Sequence, residues 1–407
     1  MNSNPAAGAS PLKNKHIPFS EFKLEEEKNF NPIIGKPYNI DKVTIKQIDN
    51  LNITYIFTTS RSASTLLGVM LMMHEQVIFT SEEIFPIILK QKYSNIKKWT
   101  ESIIREYCDD FVIMSEGKLY PLFCGKDVLF ELLMKFKEHL NYERLIRISY
   151  LSFGVNKDLS KITTIVDKQL RYYLSRHYLT LFPNSKIILL TRDPRDNVYS
   201  KYNRAIRKKI NTSPCVYIHT WKTAFQTYIQ LFQQYNKSYL IIHYENLINQ
   251  PESTMKQISD HIGIPYTHQY FQYPDVVSDF FRQIHHPKLS EHFFVTHKSL
   301  TMPITPQKVN EWKNKMNQKE IADLVNAAWQ VTQKIAQKLN YKPHDHYKPQ
   351  TYHCMRVILK IKMSFVSSYI YFQLIPYFIK KKIKLIKYPY RQTTLTSYDR
   401  FLRQSYL

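Results

Sequence analysis

Glycine is scarce in this chain, with 7 in 407 residues. So few positions free to take left-handed backbone argue against a loop-dominated or glycine-marked repeat fold, and no repeat of fixed period is present. Cysteine is rare too. Cys108, Cys124, Cys215 and Cys354 lie far apart, without a CxxC pair or histidines at zinc-like spacing, which excludes a disulfide framework and a zinc finger. Four scattered thiols in a chain of this size are expected to stay reduced, in keeping with a cytoplasmic setting. Met1-Asn2-Ser3-Asn4-Pro5 has no apolar run of the secretory kind, so no signal peptide is expected. Acids are in deficit, 33 against 57 Lys and Arg, for a net charge of +24.

What is present is a globular composition, 43% hydrophobic and 14% aromatic, long enough to bury a large core. The polar, proline-bearing stretch 1–47 reads as a poorly ordered arm, 48–342 as one domain, and 343–407 as a basic extension. From His346 to Leu407 there are 12 Lys or Arg and one acid, Asp399. That tail holds an uncharged run of 17 residues, Met363 to Ile379, followed by Lys380-Lys381-Lys382. The run is short for a membrane span and is interrupted by Gln373 and Pro376. Two readings stay open for the tail: a basic helical extension packed on the body, or an interfacial segment that gives peripheral contact with the inner face of a membrane. The body is basic in a way that suits an anionic cosubstrate, and nucleic acid is not an expected partner.

Strands are predicted at Ile53–Thr58, Thr163–Val166, Lys186–Thr191 and Ser238–His243, each apolar and rich in β-branched residues. Helical patterns lie between them: Thr65–Met73, Val128–His139, Leu170–Leu181, a helix from Pro194, Val216–Tyr235, one opening near Pro251, and a last at Asn317–Leu339. Alternation of this kind implies parallel strands joined by crossovers, with ligands beyond their carboxyl ends. Two anion sites are expected there. After the first strand comes Thr58-Thr59-Ser60-Arg61-Ser62-Ala63-Ser64-Thr65, opening a helix whose N–H groups and dipole favour an anion. It has the position of a P-loop without the Gly-Lys-Ser/Thr ending, and paired acids for magnesium are missing. After the third predicted strand comes Arg192-Asp193-Pro194-Arg195, with Asp193 suited to cap a helix and Pro194 to begin it. Ser200 and Arg204, four apart on that helix, share a face, and Arg192 stands at the strand end. Two guanidinium forks and a hydroxyl fit a phosphate.

Arg61-Ser62-Ala63-Ser64-Thr65-Leu66-Leu67, then His74, then Ser81-Glu82-Glu83, resembles the phosphosulfate loop and following segment of sulfotransferases that use 3′-phosphoadenosine 5′-phosphosulfate (PAPS). Leu181 to Asp196, with Ser200 and Arg204, resembles the family's 3′-phosphate motif, and Lys308 to Lys313 with Trp312 is similar to its adenine-side loop. The resemblance spans roughly residues 50–342 and is nearest in spacing to the tyrosylprotein and carbohydrate branches. It implies an α/β fold in three layers, with a central parallel sheet and a P-loop-like phosphosulfate loop, plus the basic C-terminal helical extension.

Carried residue by residue, the resemblance places Arg61, Ser62, Ala63, Ser64, Thr65 and Leu66 at the 5′-phosphosulfate, with Ala63 where the family has Gly. Arg192, Ser200 and Arg204 fall at the 3′-phosphate, and Tyr244, Lys308 and Trp312 near the nucleotide. The acceptor hydroxyl must lose a proton, and the resemblance implies a Glu base, either Glu82 or the adjacent Glu83. Lys168 matches a Lys that stabilises charge on the oxygen leaving with the nucleotide. Thr296 or Ser299 is a further hydroxyl candidate, whereas His74 fits a structural cap. No metal is required, since Arg and Lys neutralise the phosphates. The expected acceptor is a hydroxyl on a carbohydrate, a lipid-linked group or a peptide tyrosine. Two rivals remain: a P-loop-type phosphotransferase, and a catalytically inactive membrane- or polyanion-binding protein.

Overall fold

The computed structural model describes residues 35–114, 123–208, 210, 213–283 and 298–343. Five strands, β1 (Asn52–Phe57), β2 (Val77–Ser81), β3 (Thr164–Gln169), β4 (Lys186–Thr191) and β5 (Leu240–His243), form one sheet in the order β2-β3-β1-β4-β5. Every pairing is parallel. β1 runs alongside β3 from Asn52↔Thr164 to Phe57↔Gln169 and alongside β4 from Thr54↔Lys186 to Phe57↔Leu189. β2 pairs β3 and β5 pairs β4. The first strand is therefore central, and the connection leaving it crosses β3 to reach the edge. In a sheet of this kind, β1 is the point beyond which a ligand crevice opens.

Successive side chains of a strand face opposite ways, and both faces here are dry. Ile53, Tyr55 and Phe57 of β1 join Ile165, Ile187 and Leu189 on one face, with Trp221, Phe225, Tyr228 and Phe232 over them. Ile56 joins Phe79, Val166, Ile188, Leu190 and Ile242 on the other, beneath Leu67, Met70, Met255 and Ile258. The aromatic stripe belongs to the long helix Pro214–Gln234, the second set to helices Ser64–Met72 and Pro251–Ile262. We label Ser64–Met72 α1, Pro194–Arg207 α2, Pro214–Gln234 α3 and Lys319–Lys338 α4. In α1, Gly68 lies against β2: an added Cβ would stand 2.1 Å from the Phe79 ring, so the helix approaches the sheet where a methyl group does not fit.

The chain is an α/β protein with three layers about a parallel sheet. Several parts of the sequence expectation need amending. β2 was absent from the prediction: Val77–Ser81 is five residues long and runs directly into Glu82-Glu83, which masks it as the start of a helix. β3 extends past Val166 to Gln169, so Lys168 is a strand residue rather than the first of a loop. The stretch 85–163, for which the sequence offered one helix, contains Glu101–Met114, Lys126–Lys135 and Tyr142–Leu151, all contributing to the aromatic side of the core. Within the segment 1–47, Tyr38 already bridges to Asp158, and a helix, Ile45–Asn50, runs across its end. The basic extension beyond residue 343, with its uncharged run, lies outside the described residues. Among the described residues no helix is long and apolar enough to cross a membrane.

Candidate functional site

The loop after β1 is held from below and from the side. Tyr228 of α3 donates its hydroxyl to the Thr58 carbonyl at 2.9 Å, and Asn197 of α2 donates Nδ2 to Ser60 O at 2.9 Å and Ser62 Oγ at 3.1 Å. Arg61 and Ala63 both take left-handed backbone, with φ of 69° and 63°. That pair of reversals turns the chain from the strand into α1. Ala63 stands at the N-cap and supplies no side-chain cap, and the first N–H groups of a helix have no intrahelical acceptor, so α1 directs free donors and its positive dipole end at the crevice. Left-handed backbone is costly for Ala. Ala63→Gly is expected to stabilise the fold by about 0.5–1 kcal/mol, the strain relieved exceeding the entropy glycine loses, and a urea titration would show it as a higher midpoint.

Arg192, at the end of β4, is 5% exposed, and its two Nη groups are engaged while its Nε has no hydrogen-bond partner among the described residues. Its Nη1 donates to the Arg61 carbonyl at 3.0 Å and its Nη2 to the Lys308 carbonyl at 2.7 Å, with Asp196 Oδ2 3.3 Å away. Its guanidinium lies 4.2 Å from the Tyr244 ring centre, a cation–π contact that fixes the plane of the fork. Arg61 in turn donates Nε to Ser200 Oγ at 3.3 Å. The two loops thus meet: one side chain of each reaches the other. Arg204 is exposed on the same helical face as Ser200. Burial and then the neighbouring Arg204, Arg192 and Arg207 lower the proton affinity of Arg61. Burial, followed by Arg61, does the same at Lys308. Mutual repulsion of this kind is relieved when an anion arrives.

Arg195, next to Asp193 in the turn, does something else. It pairs bidentately with Asp193 at 2.9 and 2.6 Å and lies between the Trp312 and Trp329 rings, 4.7 and 4.5 Å from their centres. Trp312 is 1% exposed and packs with Tyr199, Ile321 and Val325, so it anchors the segment Lys308 to Lys313 to α4 from within the core. The Asp193 side chain also accepts from Arg195 N at 2.9 Å, capping α2 with Pro194 in its first turn, as the sequence indicates.

A second cluster sits at the carboxyl ends of β2 and β3. Lys168 Nζ donates to Thr65 Oγ1 at 3.1 Å and lies 3.5 Å from Glu82 Oε1, joining the loop helix to the acid. Glu82 is itself left-handed, with φ of 62°, and its N–H extends the β3 pairing by donating to the Lys168 carbonyl at 2.7 Å. Its own carbonyl accepts from Arg171 at 3.0 Å. Glu83 is 3% exposed, and its carbonyl accepts from Tyr178 at 2.6 Å and Gln169 at 3.2 Å. Beneath them Asp167 is enclosed, accepting from Tyr150 at 2.9 Å and Gln169 at 2.8 Å, and burial raises its pKa to about 7. Glu82 has a cation beside it, Lys168, which in turn joins it to the loop helix.

His74 bridges Gln76 N through Nδ1 at 3.1 Å and the Pro265 carbonyl through Nε2 at 3.1 Å, the structural cap anticipated for it. Ser299 is exposed in the turn Lys298–Thr301, and Thr296 lies outside the described residues. Leu66 is part-buried against the core under α1. Sequence reasoning did not single out Asn197, Arg171, Arg207 or Lys208. Asn197 was legible in principle, as a weak helix former three residues before Ser200. Among the described residues no group of three or more His, Cys, Asp or Glu is arranged to hold a metal.

The site therefore comprises a helix N-terminus with an arginine, a second arginine fork one strand away, and a lysine–carboxylate pair between edge and loop. Among solved structures the chain is similar to the sulfotransferase domain from the curacin biosynthetic pathway, at 19% identity over 72% of this chain and 99% of that one, with a TM-score of 0.46. It is also similar to the sulfotransferase domain of the Synechococcus PCC 7002 olefin synthase, at 18% identity over 72% and 97%, with a TM-score of 0.43. A third is sulfotransferase STF9 from Mycobacterium avium, at 9% identity over 75% and 79%, with a TM-score of 0.37. A family model described as the sulfotransferase family matches residues 54–268, more than half of the 407, and takes in both anion loops, Glu82 and Lys168. The chain belongs to the sulfotransferase family.

Proposed function

We propose that the protein transfers a sulfuryl group from PAPS to an acceptor hydroxyl, with Glu82 as base. The observation that carries this reading is the contact between the two loops: Arg61 reaches Ser200 while Arg192 reaches the Arg61 carbonyl, so one nucleotide phosphorylated at both the 3′ and 5′ positions would meet a continuous run of cations. The residues present fit such a donor. Arg192, Ser200 and Arg204 would hold the 3′-phosphate, and Arg61, Ser62, Ser64, Thr65 and the α1 N–H groups the 5′ end, with Ala63 and Leu66 setting the turn. PAPS supplies the sulfuryl group.

Glu82 takes the proton of the attacking hydroxyl as the new S–O bond forms. Lys168 carries positive charge from Thr65 toward the oxygen on which negative charge develops as the old S–O bond breaks. The products are a sulfate ester, adenosine 3′,5′-bisphosphate and a proton on Glu82. Tyr244 contributes by holding the Arg192 fork, Lys308 by its carbonyl on the same fork, and Trp312 by pinning the segment that carries Lys308. The acceptor class suggested by motif spacing is a carbohydrate, lipid-linked or peptide hydroxyl, and a cytoplasmic setting accords with the buried thiols Cys108, Cys124 and Cys215.

Thermal shift with two nucleotides tests the donor. Adenosine 3′,5′-bisphosphate at one hundred times its Kd is expected to stabilise the protein by about 2.7 kcal/mol, and ATP with magnesium at the same concentration by far less. A larger shift with ATP would replace this reading with a phosphotransferase. Incubation with radiolabelled PAPS and separate lipid, polysaccharide and protein fractions then identifies the acceptor, and label in none of them would favour an inactive binding protein.

A further inference from the structure

One buried cation, Lys201, stands outside the contacts of the two anion loops. Lys201 lies on α2 directly after Ser200 and is 6% exposed. Among the described residues no carboxylate or other acceptor pairs with it: the acid of this region, Asp196, is engaged by Arg192 and by Asn310 N at 2.8 Å. A buried ammonium without a counter-ion is unfavourable and persists where a ligand repays it. Its position says which ligand. Lys201 follows Asn197 by four residues and shares its face, and a long helical side chain lies back over the turn that precedes it. That turn is the one whose Asn197 amide holds Ser60 O and Ser62 Oγ.

We propose that the Lys201 ammonium is a ligand of the 5′ phosphate or sulfuryl oxygens of the donor, approaching the Ser60–Ser62 loop from α2. The proposal rests on the PAPS reading of the site and assigns a residue to its 5′ end. The charged group acting on Lys201 from the loop is Arg61, while Arg204 and Lys208 share its helical face. Burial, and after it Arg61, lowers the Lys201 pKa to about 7. An anion beside it shifts the balance the other way, so the lysine is largely neutral at pH 8 before the donor binds and takes up a proton when it does. Below about pH 6 it is protonated in both states and the uptake vanishes.

Calorimetry with adenosine 3′,5′-bisphosphate in two buffers of different ionisation enthalpy measures that uptake without any acceptor. The full chain is expected to take up a substantial fraction of one proton at pH 8. Lys201→Met is expected to lose that uptake and to bind about 10- to 100-fold more weakly, as befits loss of one charge-assisted contact. Its affinity for adenosine 3′-monophosphate should stay as in the wild type, which places the loss at the 5′ end. Its thermal midpoint without ligand should hold or rise, since an apolar side chain of similar length replaces a buried polar amine that has no hydrogen-bond acceptor among the described residues, and this separates lost ligation from lost folding. Lys201→Arg, charged at every pH used, should bind without the uptake. Wild-type affinity and uptake in Lys201→Met would overturn the Lys201 assignment and leave the donor reading intact. A wild type that does not bind the bisphosphate would overturn both.

Discussion

Glu82→Gln is expected to slow sulfuryl transfer by about 10²- to 10⁴-fold while leaving the affinity for adenosine 3′,5′-bisphosphate unchanged. The amide keeps the size and left-handed backbone of the residue, and Arg171 and Lys168 still bond its main chain, so the turn is preserved. What is lost is a proton acceptor next to Thr65 and α1. Single-turnover transfer of labelled sulfur to the acceptor found by fractionation gives the rate, and calorimetry gives the affinity. Glu83→Gln is the internal control: Glu83 is enclosed, and its carbonyl is held by Tyr178 and Gln169, so the loss there is expected chiefly as a lower melting temperature. A wild-type rate in Glu82→Gln would move the base elsewhere.

Arg192→Ala is expected to weaken bisphosphate binding by about 2–4 kcal/mol, or roughly 30- to 1,000-fold. The guanidinium makes three kinds of contact together, to two backbone carbonyls, to Asp196 and to the Tyr244 face, so truncation removes the fork and also leaves Asp196 buried with less to offset its charge. Burial already raises the Asp196 pKa, Arg192 being the first influence that lowers it. Arg192→Lys separates the two effects. It restores a positive charge beside Asp196 but cannot span the Arg61 and Lys308 carbonyls as a planar fork, so it should recover stability more fully than affinity. Equal affinity in wild type and Arg192→Ala would remove the 3′-phosphate assignment.

Much of the fold was legible because its signals are local. Asp193-Pro194 after an apolar strand announces a capped helix, and the Trp221, Phe225, Tyr228 and Phe232 stripe announces a buried one, and both are present. β2 was hidden because five residues ending in an acidic pair satisfy strand and helix-start patterns equally. The stretch 85–163 resisted because its helices face an aromatic core assembled from distant segments, and no local period records that. In the site, residue types were readable where chemistry demands them, arginines and hydroxyls behind strand ends. Depth was not. Nothing in the order Ser200-Lys201-Tyr202 says that the lysine is buried, and nothing around Trp312 says that its partner is Arg195 rather than a ligand. The second of those facts depends on where α4 comes to rest.

The way α4 comes to rest has a practical side. Past its end, the Leu339 carbonyl bonds His243, Tyr341 bonds Glu245 at 3.1 Å, and the Lys342 carbonyl bonds Arg195 at 2.9 Å. The described chain thus finishes near the carboxyl ends of β4 and β5, beside the turn that holds Asp193 and Arg195. Its beginning is at the opposite pole, where Tyr38 pairs with Asp158 below the amino ends of β2 and β3. An affinity handle or fluorophore joined directly ahead of Gly35 would start a full strand length from the proposed donor site, whereas one joined directly after Lys342 would start beside it. Probes meant to report on donor binding belong at the second position, and purification tags at the first.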